Sequence, residues 1–120
     1  MAGVNQKAFR KFLDRDGWAC VHCGSQGDDL VPQHRVNRGM GGSKVLNRPS
    51  NIVVLCAMFN GLVEADSRAA ALALEHGWKL ESWQIPEESP VWYTGESQWY
   101  FLDNEGNRSP WLDSVKEGNV

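Results

Sequence analysis

The spacing of apolar residues changes period several times along the chain, and each change predicts an element. Phe9, Phe12 and Leu13 recur at helical spacing among polar neighbours, so a short helix is expected over Asn5 to Arg15, stopped by Asp16-Gly17. Trp18 to Cys23 with Gly24 then resembles the tight turn in which two thiolates face one ion. Leu30 to Val36 and Asn51 to Leu55 are short apolar runs bounded by breakers and predict two strands, with the glycine loop Gly39 to Ser43 and Pro49 between them. A helix is expected next, because Leu62, Ala65, Ala69 and Leu72 share one stripe and Gly77 after His76 supplies a stop. Beyond it, Trp78 to Trp83, Val91 to Thr94 and Gln98 to Asp103 are aromatic-rich strand candidates, separated by Pro86, Pro90, Gly95 and the turn Asn104-Glu105-Gly106. The six tryptophans fall mostly in this tail, where core or interface packing is the plain reading.

Composition narrows the class. A chain of 120 residues suits one domain with a modest core, and 42% hydrophobic with 22% charged residues excludes wholesale disorder. No apolar run approaches membrane-spanning length and Met1 to Phe9 lacks a signal-like stretch, so a cytoplasmic protein is expected. Three cysteines, two of them spaced Cys20-x-x-Cys23, suit a metal site or reduced thiols better than a disulfide framework. The net charge of -3 hides an asymmetry: residues 1 to 51 carry eight basic against four acidic side chains, +4, and the remainder four against eleven, -7. The basic half also holds His34, where phosphate contacts would be wanted. For Lys7 to Arg15 alone, solvated helix charges are the preferred reading.

The chemistry concentrates between positions 33 and 60. A histidine at the end of a strand, a glycine turn, an Asn-led apolar strand and a following helix are the parts that a small metal-dependent phosphodiesterase needs. Gln33-His34-Arg35, Arg38-Gly39-Met40-Gly41-Gly42-Ser43, Ser50-Asn51, Leu55-Cys56 and Asn60-Gly61 follow in that order. Together they resemble an HNH endonuclease, in particular the small HNH proteins encoded by bacteriophages of actinobacteria. The motif-level likeness covers about residues 15 to 66, and the pattern Pro90-Val91, Trp99, Leu102-Asp103, Gly106 is similar to the C-terminal extension of the same phage proteins.

The resemblance implies an α+β fold: a ββα-metal (HNH, or His-Me finger) core with an N-terminal helix and knuckle and a C-terminal β-rich extension. It implies a single HNH domain over residues 1–120, with the core at about 15–77 and the extension at about 78–113. The implied activity is hydrolysis of DNA phosphodiester bonds, by nicking or cutting, in the cytoplasm of an infected bacterial host. His34 matches the general base, whose imidazole suits proton transfer near neutrality. Asn51 matches the middle Asn, which ties the loop to the strands and orients the base. Asn60 matches the last motif position, a ligand for a divalent metal (Mg²⁺, Mn²⁺, Ni²⁺ or Zn²⁺). Arg35 and Arg38 are expected beside the phosphate, with Lys44 and Arg48 as further DNA contacts.

The sequence departs from the family in two places. Gln33 stands where the family usually has Asp or His as a metal ligand, so the shell with Asn60 would hold two neutral amides. Glu64, one helical turn past Asn60, either joins that ion or pairs with Arg68 at i,i+4. In the knuckle, Cys20, Cys23 and Cys56 are candidates for a structural zinc ion, but Phe59 stands where a fourth cysteine belongs. Either another side chain such as His22 completes the set, though flanked by bound cysteines it would point away, or the ion is lost, Phe59 fills the space and Cys56 is a buried thiol. His76, at a helix end, is read as complementing the dipole. The alternative function is a degenerate HNH fold acting as a DNA- or protein-binding module with little or no cleavage. The expected partner is DNA, with no membrane, and the aromatic extension could dock a phage or host protein or pair two subunits.

Overall fold

Asn5 sets where the first helix begins. Its Oδ1 accepts the Ala8 N–H at 2.8 Å, satisfying one of the donors that a helix start leaves over, and α1 runs Gln6–Arg15. The structure, a computed structural model, describes residues 4–37 and 45–112; Arg38, Lys44 and the glycine loop 39–43 lie outside the described residues. After α1 the chain turns through Gly17 and Trp18, both left-handed with φ of 70° and 56°. Trp18 tolerates that conformation because its indole N–H is anchored on Asp14 at 2.8 Å and its backbone N–H returns to the Leu13 carbonyl, also at 2.8 Å.

β1 (Leu30–His34) and β2 (Ile52–Cys56) pair antiparallel, from Leu30 opposite Cys56 to His34 opposite Ile52, and β2 passes directly into α2 (Ala57–Ala65). Every residue of β2 is buried because both of its faces are covered. Ile52 and Val54 meet Phe12 and Leu13 of α1, while Val53 and Leu55 join Val21, Phe59, Val63, Trp78 and Tyr93. That two-sided burial explains an unbroken Ile-Val-Val-Leu run in place of alternation.

Where the apolar stripe predicts one continuous helix to His76, there are two. Asp66 is extended (φ -124°, ψ 121°) and its Oδ1 accepts the Arg68 N–H at 2.8 Å, so it ends α2 and caps α3 (Ser67–Glu75). The break rotates the buried stripe onto Phe59, Val63, Ala69 and Ala73 and leaves Leu62 40% exposed. Downstream, β3 (Val91–Tyr93), β4 (Gln98–Leu102) and β5 (Arg108–Pro110) form a second antiparallel sheet in that order. Trp78 to Trp83 is not a strand: Trp78 and Lys79 donate back to Ala73 at 3.0 and 3.2 Å and Leu80 donates to Arg35 at 2.8 Å. The two sheets are joined through the knuckle, where Val21 donates to Val54 at 2.9 Å and accepts from Thr94 at 3.0 Å. The described residues thus form an α+β fold of three helices and two small sheets, with no helix long and apolar enough to cross a membrane.

Two arginines that the charge count treated as surface cations are internal. Arg35, 0% exposed, donates Nε to Gly77 O at 2.7 Å, Nη1 to Ser50 O and Pro86 O at 2.9 and 3.0 Å, and Nη2 to Ser89 O at 2.6 Å. Burial pushes its pKa down to about 9, still above neutrality, so the guanidinium stays charged among carbonyl dipoles. The expectation that Arg35 lies beside a phosphate is therefore corrected: its donors already hold the end of β1 to the segment before β3, out of reach of an external anion. Gly77 belongs to the same junction, since at φ 77° a Cβ there would lie 2.0 Å from the Pro90 carbonyl oxygen. Asp16, 1% exposed, accepts two bonds from Arg15 at 2.8 Å each and one from the Tyr93 hydroxyl at 2.5 Å. Burial disfavours the Arg15 charge, but Asp16 more than offsets it and holds the Arg15 pKa above its ordinary value.

Candidate functional site

The last two residues of β1 leave from opposite faces of the ribbon. Gln33 is opposite Val53 and so faces α2, while His34 is opposite Ile52 and faces the side covered by α1. On the α2 side, Asn60 reaches back from the first turn of the helix and its Nδ2 donates to Gln33 Oε1 at 2.5 Å. Gln33, 5% exposed, spends its own Nε2 on the His34 carbonyl at 2.9 Å. Gln33 and Asn60, nearly thirty positions apart in sequence, thus meet as two neutral amides joined by one hydrogen bond. Glu64 lies one turn further along α2 and is exposed, and among the described residues no ion pair joins it to Arg68.

On the other side, His34 Nε2 lies 2.6 Å from Asn47 Oδ1. Asn47 belongs to the short turn that re-enters β2, and that turn is held by Asn51. The Asn51 side chain accepts from Val36 N–H at 2.8 Å and donates to Val36 O and Leu46 O at 3.1 and 2.8 Å, bridging the two ends of the loop. Its neighbour Ser50 donates to Asn104 Oδ1 at 2.6 Å and sits 3.3 Å from Glu87 Oε1, which also meets Arg48 at 3.4 Å. Arg48, expected as a DNA contact, is shared between Glu87 and the Val45 carbonyl at 2.8 Å. A cleft runs alongside, lined by Lys7, Lys11 and Phe12 of α1 together with Asn47 and Pro49. The sequence treated these lysines as solvated helix charges; their helical phase, which turns them towards the re-entrant turn, was the available signal.

The knuckle gathers a second cluster. One ligand atom each from Cys20, His22 and Cys23 lie within 4.8 Å of one another. His22 does not point away, as expected of a residue flanked by two cysteines. Its ring stacks on Phe59, with centroids 3.7 Å apart and planes 3° from parallel, and meets the edge of Trp78 at 5.4 Å. Its Nδ1 is buried without a hydrogen-bond partner. Burial, with the nearby His76 second, lowers the His22 pKa and so favours the neutral, lone-pair-bearing ring. Burial likewise pushes the Cys20 thiol up to about 11, opposed by the backbone N–H groups of Cys23, Cys56 and His22, which favour its thiolate. Burial also tends to raise Cys23, but the backbone of Ser25 and the Cys20, Cys56 and Ser25 side chains bring it below its ordinary value. Two sulfurs and an imidazole nitrogen at this separation could bind a metal ion.

No family model, no curated protein and no solved structure matches this chain. The arrangement therefore stands on its own geometry: Gln33 with Asn60 on one face, His34 with Asn47 on the other, Asn51 behind both, and Cys20, His22 and Cys23 in the knuckle. His76 lies beside the knuckle across Trp78, its Nδ1 bonded to the Leu72 carbonyl at the end of α3 at 2.8 Å and its ring stacked on Trp78.

Proposed function

We propose that the chain is a phage-type HNH endonuclease that hydrolyses DNA phosphodiester bonds, with a divalent ion at Gln33, Asn60 and Glu64 and a zinc ion in the knuckle. The observation that carries this reading is the order of parts: a histidine ending β1, an antiparallel return through Asn51, and a helix that follows β2 at once and carries Asn60 back to Gln33. The oxygen donors of the two amides and the Glu64 carboxylate fit a hard divalent cation in kind, though only Glu64 brings charge. When bound, such an ion would stabilise negative charge on the phosphate and on the departing oxygen. A phosphate lying across the end of the ribbon would meet His34 from one face and the Gln33–Asn60 pair from the other. His34 takes a proton from water; the water oxygen forms a bond to phosphorus as the bond from phosphorus to the 3′ oxygen breaks, and solvent returns a proton to that oxygen. Lys7 and Lys11, in the cleft beside Asn47, supply cations for flanking phosphates in place of Arg35.

One observation favours the second reading, a disarmed fold that binds DNA or protein without cutting: Gln33 Oε1, an oxygen that an ion would need, already accepts from Asn60 Nδ2. A plasmid nicking assay separates the two. Wild type, His34→Ala and Gln33→Asp are each titrated with Mg²⁺, Mn²⁺, Ni²⁺ and Zn²⁺, with folding checked by circular dichroism. Nicking by wild type that disappears in folded His34→Ala supports the nuclease; a wild type silent with every metal beside an active Gln33→Asp supports the disarmed fold.

A further inference from the structure

We infer that Asn47 is a positioning residue for His34: it fixes the imidazole as the Nε2–H tautomer and so presents Nδ1 as the proton-accepting nitrogen. The inference rests on the nuclease reading for its purpose but not for its geometry. His34 Nε2 and Asn47 Oδ1 are 2.6 Å apart, and an amide oxygen only accepts, so the ring proton lies on Nε2 and the lone pair on Nδ1.

Asn47 can hold a ring still because it is itself held. The turn around it is closed by Arg48 N–H to Val45 O at 3.3 Å, Arg48 Nη1 to Val45 O at 2.8 Å and Asn51 N–H to Arg48 O at 2.9 Å. Asn51 Nδ2 grips the Leu46 carbonyl at 2.8 Å, one residue before Asn47. Asn51 therefore acts on His34 through the turn, and Asn47 is the side chain that makes the contact. Without it, a half-buried imidazole at the end of a strand would sample both tautomers and more than one ring orientation, and only part of that population could accept a proton from water. Reversal of the Asn47 amide, with Nδ2 donating to the ring, would place the ring proton on Nδ1 and give the opposite outcome.

Long-range ¹H–¹⁵N correlation of ¹⁵N-labelled histidine reads the tautomer directly, in metal-free wild type, Asn47→Ala and Asn47→Asp, at a pH where the ring is neutral. The expected result is a single Nε2–H tautomer for His34 in the wild type, mixed tautomers in Asn47→Ala, and the single tautomer restored in Asn47→Asp, whose carboxylate still accepts. Cleavage should follow the same pattern, with kcat lower by about tenfold in Asn47→Ala, KM little changed, and recovery in Asn47→Asp. An Nδ1–H tautomer or a mixture in the wild type overturns the inference while leaving the nuclease reading intact. A wild type that holds the tautomer but never cuts does the reverse. If Asn47→Ala does not fold, the wild-type and Asn47→Asp spectra still decide.

Discussion

The two ends of the β1–β2 ribbon carry clusters of opposite character. Near Leu30 and Cys56, the knuckle assembles buried Cys20, half-buried His22 and exposed Cys23 at the edge of the core, with the His22 ring against Phe59 and Trp78. Near His34 and Ile52, the other end assembles neutral amides and a histidine beside an open cleft with two lysines. The knuckle leaves a buried nitrogen without a partner, whereas Gln33 at the amide end has both its amide oxygen and its amide nitrogen hydrogen-bonded. A buried polar atom without a partner gains from a ligand whenever the chain folds; one that is already hydrogen-bonded gains only when substrate or ion offers something better. Under the proposed nuclease reading, the knuckle would then serve stability and the amide end chemistry.

The hardest test of this division is to remove metal. If the knuckle holds zinc, a strong chelator or Cys20→Ser should lower the unfolding midpoint by at least about 10 °C, since a structural ion contributes several kcal/mol and each shifts a small domain by roughly 4–8 °C. Differential scanning calorimetry on metal-loaded and chelated protein reads this, and metal analysis before and after gives the stoichiometry. An unchanged midpoint with no bound metal would make Cys20, His22 and Cys56 ordinary core. Withholding Mg²⁺ alone should move the midpoint by no more than about 2 °C, because Gln33 and Asn60 are already hydrogen-bonded to each other without an ion.

Adding charge where the amide end lacks it is the next step. Gln33→Asp places a carboxylate at a buried position beside Asn60 and should tighten Mn²⁺ binding by about tenfold or more in calorimetric titration, the equivalent of about 1.4 kcal/mol. It should also cost stability in the absence of metal, because the Gln33 Nε2 donor to the His34 carbonyl is lost and an anion is buried. Equal affinity in both proteins would mean that the ion, if any, does not touch position 33.

The sequence was most readable where local chemistry and tertiary structure agree. Asn5 and the Asp16-Gly17 stop bound α1, Leu30 and Ile52 to Leu55 fall in strands, and His76-Gly77 closes α3. Positions 33 and 60 were expected to meet only through the motif resemblance, as two ligands of one ion; the structure joins their amides directly by a hydrogen bond. Asp66 was missed because a cap and an ordinary helix residue share one letter, and only its extended backbone separates them. Trp78 to Trp83 looked like a strand on composition, but Arg35 and Ala73 claim its backbone. Arg35 is the instructive failure. Its position beside His34 suggested a phosphate ligand, yet the carbonyls that surround it come from residues 50, 77, 86 and 89, and nothing local announces a pocket assembled from three separate segments. His22 was undervalued for the opposite reason, since a Cys-x-His-Cys turn is visible locally but the ring's direction is decided by Phe59.

The smallest effect expected lies at the electrostatic seam behind the amide end. Glu87 meets Arg48, Ser50 and Asn104, next to the Asn51 that holds the loop. Burial alone would raise its pKa, but its own backbone N–H, Arg48, Asn104 and Ser50 outweigh that and lower it from 4.5. A carboxylate with a depressed folded pKa stabilises the fold above its unfolded value, and that contribution fades as pH falls from about 4.5 through the folded value. Because the side chain is 39% exposed, solvent screens most of the effect, and only a few tenths of a kcal/mol are expected. Glu87→Gln should therefore flatten the urea stability profile slightly below about pH 4.5 and leave it parallel to wild type above, where neither residue titrates. A steeper acid limb in Glu87→Gln would reverse the sign and mean that Arg48 and Ser50 do not favour the ionised carboxylate. The amide end would then lack even this modest support, sharpening its contrast with the knuckle.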